Sequence, residues 1–351
     1  MISREILKKN PATRQRMTVT ELLETVRRVE LRTNRLVNDT MVGAYLSHFK
    51  GRGMDFEELR EYIPGDDVRD IDWNVTNRLG RPFVKRYREE RELAAVLMVD
   101  VSGSSAFGSG NLSKREYAAE VAATLALSAT RNGDKVALLL FTEQVELFIP
   151  PRKGRRHILR IVREMLAFEP KKRGTDIPAA LAFLNHALPR RSIVFLLTDF
   201  LDNNGAQLWS QTQPQRAADA TRVELFQDAA TDAAHTAALQ PKSSRDVIQE
   251  LGITNVRHDL VCLHLHDPRE SRLPDAGLLT IEDAETGEIL ELDSSRGAVR
   301  DRYAWFNEER LEQLDQSLNR TAVDTLRLNT VEPFAQTLQR FFEMRRGRRR
   351  R

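Results

Sequence analysis

From Leu93 onward, short apolar segments alternate with amphipathic ones, and this alternation constrains the fold more than any other feature of the chain. Stretches such as 136–141 are apolar at nearly every position, which is typical of strands covered on both faces. Strands that alternate with helices predict an α/β fold with a mainly parallel sheet and helices on both faces. The predicted strands are residues 94–100, 135–142, 192–198, 259–266 and 323–329, and the predicted helices lie near 114–131, 156–168, 177–188, 246–252, 300–320 and 333–345.

The rest of the chain is organised around this unit. Residues 1–92 are predicted to form an N-terminal extension, with helical spacing of apolar residues over 18–38 and a turn-rich stretch over 51–90. The α/β domain is predicted to span 93–345. Within it, residues 203–245 contain few large apolar side chains and are interpreted as a long insertion of low order, and residues 278–292 as a β-hairpin with a Gly-containing turn. A basic tail, 346–351, follows the domain.

Composition excludes several classes of protein. The chain has 351 residues, 41% hydrophobic and 30% charged, which is sufficient for a folded core with a polar surface. Cys262 is the only cysteine, so an intrachain disulfide or a cysteine-based metal site is impossible. The N-terminus has no apolar signal core, and no apolar run approaches the ~20 residues that span a bilayer. We therefore expect a soluble protein of the cytoplasm.

The positive charge is concentrated in the run from Arg345 to Arg351, although the net charge is only +3. Such a run could contact an anionic membrane surface or nucleic acid. A solvated helix end, whose cations suit the helix dipole, is the preferred interpretation. We expect no nucleic-acid partner, and peripheral membrane contact through the tail stays open.

Five oxygen-bearing side chains could form a divalent-cation site. Asp100, Ser102 and Ser104 follow the apolar segment 94–99 directly, Thr175 precedes a predicted helix, and Asp199 ends another predicted strand. In an open α/β sheet, ligands bind beyond the carboxyl ends of the strands. Two carboxylates and three hydroxyls match the oxygen preference of Mg²⁺, and the two carboxylates would leave one position open to an acidic group of a partner. The pattern predicts a site for binding rather than catalysis.

Each piece also has a simpler interpretation. Asp and Ser after a strand are common in turns and helix caps, and Thr175 alone would be an N-cap. A metal-dependent hydrolase that uses His264 or His266, which alternate on one face of a strand, is the enzymatic alternative, although packed imidazoles are the more common case. The sequence has no Gly-x-Ser-x-Gly elbow and no glycine-rich phosphate loop with Lys. A third alternative is a metal-free scaffold in which the tail or residues 203–245 bind the partner.

The five residues resemble the metal-ion-dependent adhesion site of von Willebrand factor A domains. Two further segments are similar to the family catalogued as domain of unknown function 58, and the resemblance spans roughly residues 40–345. The first segment is Phe56-Glu57-Glu58-Leu59-Arg60-Glu61-Tyr62, Pro64-Gly65-Asp66-Asp67-Val68-Arg69 and Ile71-Asp72-Trp73, followed by Val84-Lys85 and Glu89-Glu90-Arg91. The second is His266-Asp267-Pro268-Arg269-Glu270, Leu273-Pro274-Asp275, Gly277, Asp283 and Glu285-Thr286-Gly287.

The resemblance implies a von Willebrand factor A-like (Rossmann-like) fold and assigns the metal-ligand role to Asp100, Ser102, Ser104, Thr175 and Asp199. It also implies a MoxR-type AAA+ ATPase as partner, in the chaperone-like assembly or activation of client proteins. Many relatives carry a membrane-spanning N-terminus, which this sequence does not show. The segment 65–73 could dock the ATPase, but Pro64-Gly65 as a turn and Trp73 as an anchor to the core are the preferred interpretation.

Overall fold

The structure is a computed structural model that describes residues 24–29, 31, 33, 54–89, 93–110, 112–201, 247–282, 284, 287 and 289–348. The predicted insertion 203–245 and the last three residues of the tail lie outside the described residues. Of the predicted helix 18–38, residues 24–29, 31 and 33 are described, and all are helical.

The central sheet has six strands, in the order β10-β7-β6-β3-β4-β5. Five of them are parallel, and β5 runs antiparallel at one edge. The strands are β1 (Met54–Glu61), β2 (Phe83–Glu89), β3 (Ala94–Asp100), β4 (Lys135–Phe141), β5 (Val145–Arg152), β6 (Ile193–Thr198), β7 (Asp259–His266), β8 (Leu278–Glu282), β9 (Ile289–Asp293) and β10 (Asp324–Asn329). Five of the six strands of this sheet match the predicted strands to within one residue.

Helices cover both faces of the sheet. The helices are α1 (Trp73–Leu79), α2 (Lys114–Arg131), α3 (Arg155–Ala167), α4 (Ile177–Ala187), α5 (Val247–Arg257), α6 (Pro268–Ser271), α7 (Gly297–Arg320) and α8 (Phe334–Arg348). Alternate residues of β3, β4, β6 and β7 enter two separate apolar clusters, one with α2, α3 and α8 and the other with α4, α5 and α7. In β3, Leu97 belongs to the first cluster and Met98 to the second, and both are fully buried. The predicted α/β fold class is confirmed.

The order of the strands reverses at β3. The chain proceeds from β3 to β4 and β5 on one side, then crosses to β6, β7 and β10 on the other. Because β3 and β6 are parallel neighbours whose following connections diverge, a crevice opens beyond their carboxyl ends. Asp100 and Thr198 are the last residues of these two strands.

Strand β5 was not predicted, for an identifiable reason. Its sequence mixes polar and apolar residues and contains Pro150-Pro151, which argues against a central strand. In the structure it is an edge strand paired only with β4, where proline is tolerated.

Two small antiparallel sheets accompany the central one. Strands β1 and β2 pair within the predicted N-terminal extension, with α1 between them in the chain. Strands β8 and β9 pair where the hairpin was predicted, from Leu278↔Asp293 to Glu282↔Ile289. Trp73 is 60% exposed, so its interpretation as a core anchor is wrong.

Arg345 belongs to the fold rather than to a solvated basic end. It lies in α8, only 5% of its side chain is exposed, and Nη2 donates to Asp259 Oδ1 at 2.8 Å while Nε donates to Asp324. These aspartates begin β7 and β10, so the ion pairs attach α8 to the amino ends of two strands. The interpretation of Arg345 as part of a solvated run is therefore wrong, because its charge is paired inside the domain.

Replacing Arg345 by Ala leaves these carboxylates without that cation. We expect the free energy of unfolding to fall by about 3 kcal/mol, measured by urea denaturation. Arg340→Ala, which truncates an exposed arginine of the same helix, is the matched control and should change it by less than about 0.5 kcal/mol. Equal effects of the two substitutions would show that the ion pairs contribute little.

Candidate functional site

Two buried carboxylates meet at the crevice beyond β3 and β6. Asp100 ends β3, and Asp199 follows the last residue of β6. The Thr198 hydroxyl donates to Asp100 Oδ2 at 2.8 Å, which joins the ends of the two strands. Asp100 is 5% exposed and Asp199 is 8% exposed. The parallel register therefore brings together two acids that are 99 positions apart in the chain.

The turn after β3 adds two hydroxyls. The Ser102 backbone N–H donates to Asp100 Oδ1 at 2.9 Å, and the Ser102 and Ser104 Oγ atoms are 3.1 Å apart. Ser104 lies in the 3₁₀ turn Gly103–Ala106, beside Asp199, and its hydroxyl helps to lower the pKa of that carboxyl group. Both serines are buried. Three of the five predicted ligands, Asp100, Ser102 and Ser104, thus form one hydrogen-bonded cluster, and Asp199 lies beside it.

Thr175 lies on a loop that is fastened to this cluster. The Gly103 N–H donates to the carbonyl oxygen of Arg173 at 2.9 Å, two residues before Thr175. Asp176 caps α4 by accepting from the Ala179 N–H at 2.8 Å, and Thr175 itself is buried. The loop of the fifth predicted ligand is therefore in contact with the turn that carries Ser102 and Ser104.

Sequence reasoning missed Lys114. Its side chain is 1% exposed, and Nζ donates to Asp199 Oδ2 at 2.5 Å and to Glu270 Oε1. Lys114 is the first residue of α2, where a cation faces the positive end of the helix dipole. This unfavourable position could have been noticed in the sequence, because a lysine at the start of a helix indicates that nearby acidic groups compensate its positive charge.

Burial and Asp199 raise the pKa of Asp100 from 3.8 to about 6, despite the hydrogen bonds from Ser102 and Thr198. Burial would also raise the pKa of Asp199, but Lys114 overcomes this and holds it below the ordinary value. Lys114 thus stabilises one carboxylate of the pair. Within the described residues, Asp100 has no ion pair of its own.

The donor set fits a divalent cation. Two carboxylates and two hydroxyls converge, with the Thr175 loop beside them, and a cavity lined by Asp100, Ser105, Lys114, Thr198, Asp199 and Leu265 adjoins the strand ends. Hard oxygen donors of this kind suit Mg²⁺. With Glu270, the cluster contains three acidic side chains and one ammonium group, which pairs with Asp199 and Glu270, so it is short of positive charge when all are ionised.

Asp267 stabilises the surrounding loops. Its carboxylate accepts from the Ser109 N–H at 2.8 Å, the Ser109 hydroxyl at 2.6 Å and the Thr330 hydroxyl at 3.0 Å, and it caps α6 through the Arg269 N–H. These bonds hold its pKa below the ordinary value although burial acts in the opposite direction. Asp267 therefore joins three loops at the same edge of the sheet.

The β8–β9 hairpin lies against the site. A Cβ atom on Gly103 would stand 2.1 Å from the Ala284 carbonyl oxygen, so glycine is required for this contact. Arg173 pairs with Glu282 of β8 at 3.9 Å, which links the hairpin to the Thr175 loop as well. The hairpin thus forms one wall of the candidate site.

The two histidines of β7 are packed against other side chains at the end of the strand. His264 is 2% exposed, its ring lies 5.7 Å from that of Phe200, and burial lowers its pKa to about 3. Its ring is 6.2 Å from that of His266, which pairs with Ser271 Oγ at 3.3 Å. No group of three His, Cys, Asp or Glu residues suited to a metal ion occurs in the part of the chain that the structure describes. The burial of His264 argues against the hydrolase alternative.

The chain is similar to proteins of unknown function. The family model described as "Protein of unknown function DUF58" matches residues 58–313. The uncharacterized protein Rv1480 of Mycobacterium tuberculosis (strain ATCC 25618 / H37Rv) is 28% identical over 329 residues, which cover 93% of this chain and 90% of the relative.

The chain is also similar to solved structures. The conserved hypothetical protein BatB from Bacteroides thetaiotaomicron matches with a TM-score of 0.42 and 11% identity, over 73% of this chain and 99% of that one. The vWF domain of the type V pili tip protein Mfa5 from Porphyromonas gingivalis matches with a TM-score of 0.38 and 11% identity, over 74% and 95%. Separately, none of the helices in the described ranges is long and apolar enough for a bilayer crossing.

The raised pKa of Asp100 predicts a pH effect in the metal-free protein. Because the folded state takes up this proton more readily than the unfolded state, the contribution of Asp100 to the free energy of unfolding should fall as the pH rises from about 4 to about 6. In chelator, Asp100→Asn should match the wild type below pH 4 and exceed its stability by on the order of 2 kcal/mol above pH 6.5. Asp70→Asn, at an exposed position, is the control. A difference between Asp100→Asn and wild type that is independent of pH would contradict this assignment.

Gly103→Ala should displace the hairpin from the site, because the added methyl group meets backbone rather than a movable side chain. We expect faster amide hydrogen exchange over 278–293 and a loss of about 1–3 kcal/mol of stability. Gly110→Ala, whose methyl group would meet only a Val331 methyl at 3.8 Å, is the matched control. Unchanged exchange in the hairpin of Gly103→Ala would show that the contact is not maintained in solution.

Proposed function

The chain belongs to the family described as Protein of unknown function DUF58, and we propose that it is a protein-interaction module. This module would bind an acidic group of a partner at the Asp100–Asp199 cluster, with the help of a divalent cation. The order of the sheet and the family match agree with the expected von Willebrand factor A-like fold. The observation that carries the proposal is the convergence of two buried carboxylates and two hydroxyls at the crevice beyond β3 and β6.

The five predicted ligand residues differ in the charge that they would contribute. Asp100 and Asp199 supply negative charge, while Ser102, Ser104 and Thr175 supply neutral oxygens. Mg²⁺ held by this set would offer an open coordination position to a carboxylate oxygen of the partner. The hydrogen bonds among Asp100, Ser102 and Thr198 already fix the ends of β3 and β6, so the backbone of the two strands need not move before binding.

The partner is proposed from the family resemblance. A MoxR-type AAA+ ATPase would supply energy, and this chain would bind a client protein, or the ATPase itself, through an exposed acidic side chain. The β8–β9 hairpin, which contacts Gly103 and the Thr175 loop, would restrict which partner surfaces can reach the cluster. The complex would act in the cytoplasm, in the assembly or activation of other proteins.

A metal-free scaffold is the second candidate, and Lys114 is the observation that favours it. The ammonium group already neutralises part of the negative charge of the cluster without an ion. In that case the cluster would serve only to join β3, β6 and α2, and binding would occur elsewhere on the surface. The two candidates differ in whether binding of the partner depends on a divalent cation.

The discriminating variant is Asp100→Ala. It removes one of the two ligand charges, so it should weaken binding of a purified, nucleotide-free MoxR-type ATPase at least tenfold in Mg²⁺, measured by biolayer interferometry. Wild-type binding should fall to the level of the variant when EDTA replaces Mg²⁺, because both conditions remove the same link to the partner.

Glu343→Ala, which removes an exposed acid from α8, is the matched control and should bind like the wild type. Circular dichroism establishes that both variants are folded. Equal binding by Asp100→Ala and wild type, or insensitivity of the wild type to chelator, would contradict the metal-dependent proposal and favour the scaffold.

A further inference from the structure

Lys114 is placed where it opposes binding of a metal ion. Its ammonium group contacts Oδ2 of Asp199, one of the two carboxylates of the predicted metal site. Asp199 Oδ1 accepts from the Leu201 N–H at 3.1 Å, so in this state both oxygens of Asp199 are engaged by the chain. A divalent cation could use Asp199 fully only if the ammonium group gives up its contact.

Glu270 provides a second acceptor for the same ammonium group. Lys114 Nζ already donates to Glu270 Oε1, and Glu270 Oε2 accepts from the Asp267 N–H at 3.3 Å in the capping box of α6. The Tyr303 hydroxyl donates to the Glu270 carbonyl oxygen at 3.0 Å, which attaches α6 to α7. Glu270 is therefore held in place and can keep the ammonium group when Asp199 releases it.

We infer that Lys114 is an internal cation that competes with the divalent ion for Asp199, and that Glu270 retains its ammonium group in the metal-loaded protein. This inference rests on the proposed function and specifies how the same site is regulated. The competition makes the metal-free protein stable, since a buried carboxylate without a cation would be costly. It also lowers the affinity for the ion, because part of the binding energy is spent in breaking the contact between Lys114 and Asp199.

The competition predicts effects of opposite sign for two substitutions. Lys114→Met removes the competitor and leaves the buried acids without a cation, so it should tighten Mg²⁺ binding at least tenfold. Glu270→Gln removes the alternative acceptor, so the ammonium group depends on Asp199 alone and Mg²⁺ should bind several-fold more weakly. Isothermal titration calorimetry with Mg²⁺ measures both affinities on the full chain.

Two controls separate competition from a general change of charge. Lys172→Met removes the same charge from a half-exposed side chain, three residues before Thr175, and should change the affinity less than threefold. In the double variant Lys114→Met/Glu270→Gln, the effect of Glu270→Gln should largely disappear, because no ammonium group remains to be redirected. An equal effect of Glu270→Gln in both backgrounds would overturn the role assigned to Glu270.

Thermal unfolding keeps the test decisive if Lys114→Met folds poorly without metal. Its midpoint should be lower than that of the wild type in EDTA and should rise more steeply with added Mg²⁺, whereas Glu270→Gln should show a smaller rise than the wild type. Because Glu270→Gln retains Lys114 and its contact with Asp199, this variant can be titrated with Mg²⁺ whether or not Lys114→Met folds.

The outcomes distinguish this inference from the proposed function. If the wild type binds Mg²⁺ and Lys114→Met binds it no more tightly, the competition is overturned while the metal site stands. If only Lys114→Met binds Mg²⁺, the competition is supported but a metal-dependent function of the wild type is contradicted. If no variant binds Mg²⁺, both are overturned.

Discussion

The contact between Lys114 and Asp199 is the interaction on which the arrangement of this site depends. The parallel sheet places Asp100 and Asp199 side by side at its carboxyl edge, where both side chains are largely buried. Two unpaired carboxylates there would destabilise the fold, and the ammonium group of α2 offsets one of them. Because Lys114 also contacts Glu270, the charge balance extends from β6 to α6. The same balance would control whether a divalent ion can enter.

The loops around the cluster are positioned by hydrogen bonds between residues that are far apart in the sequence. Asp267 connects the Ser109 and Thr330 loops to α6, and the Gly103 N–H connects the turn after β3 to the Thr175 loop. The hairpin rests on Gly103 through Ala284. A partner that approaches the cluster would therefore meet a surface built from segments that pack on one another, and movement of one loop would affect its neighbours.

The sequence predicted the central sheet well because buried parallel strands have a strong local signal. Segments such as 94–100 and 259–266 are apolar at most positions, and the structure has strands with those bounds. Strand β5 was missed because Pro150-Pro151 and its mixed pattern are those of an edge. Arg345 was misassigned because its partners, Asp259 and Asp324, lie far away in the chain. No pattern among neighbouring residues in the sequence indicates such a pairing.

The candidate site was predictable in its acids and hydroxyls but not in its counter-charge. Asp100, Ser102 and Ser104 are adjacent in one turn, and Asp199 ends a strand whose parallel neighbour is β3. Lys114 joins them across 85 residues and Glu270 joins Lys114 across 156, so only the folded chain shows the ion pairs. The most direct test of the whole account is a crystal soaked in Mn²⁺ and measured for anomalous scattering. The account expects one strong peak between the carboxylates of Asp100 and Asp199, with Lys114 Nζ moved away from Asp199 and still on Glu270. An ordered cluster with no peak, and with Lys114 still on Asp199, would contradict it.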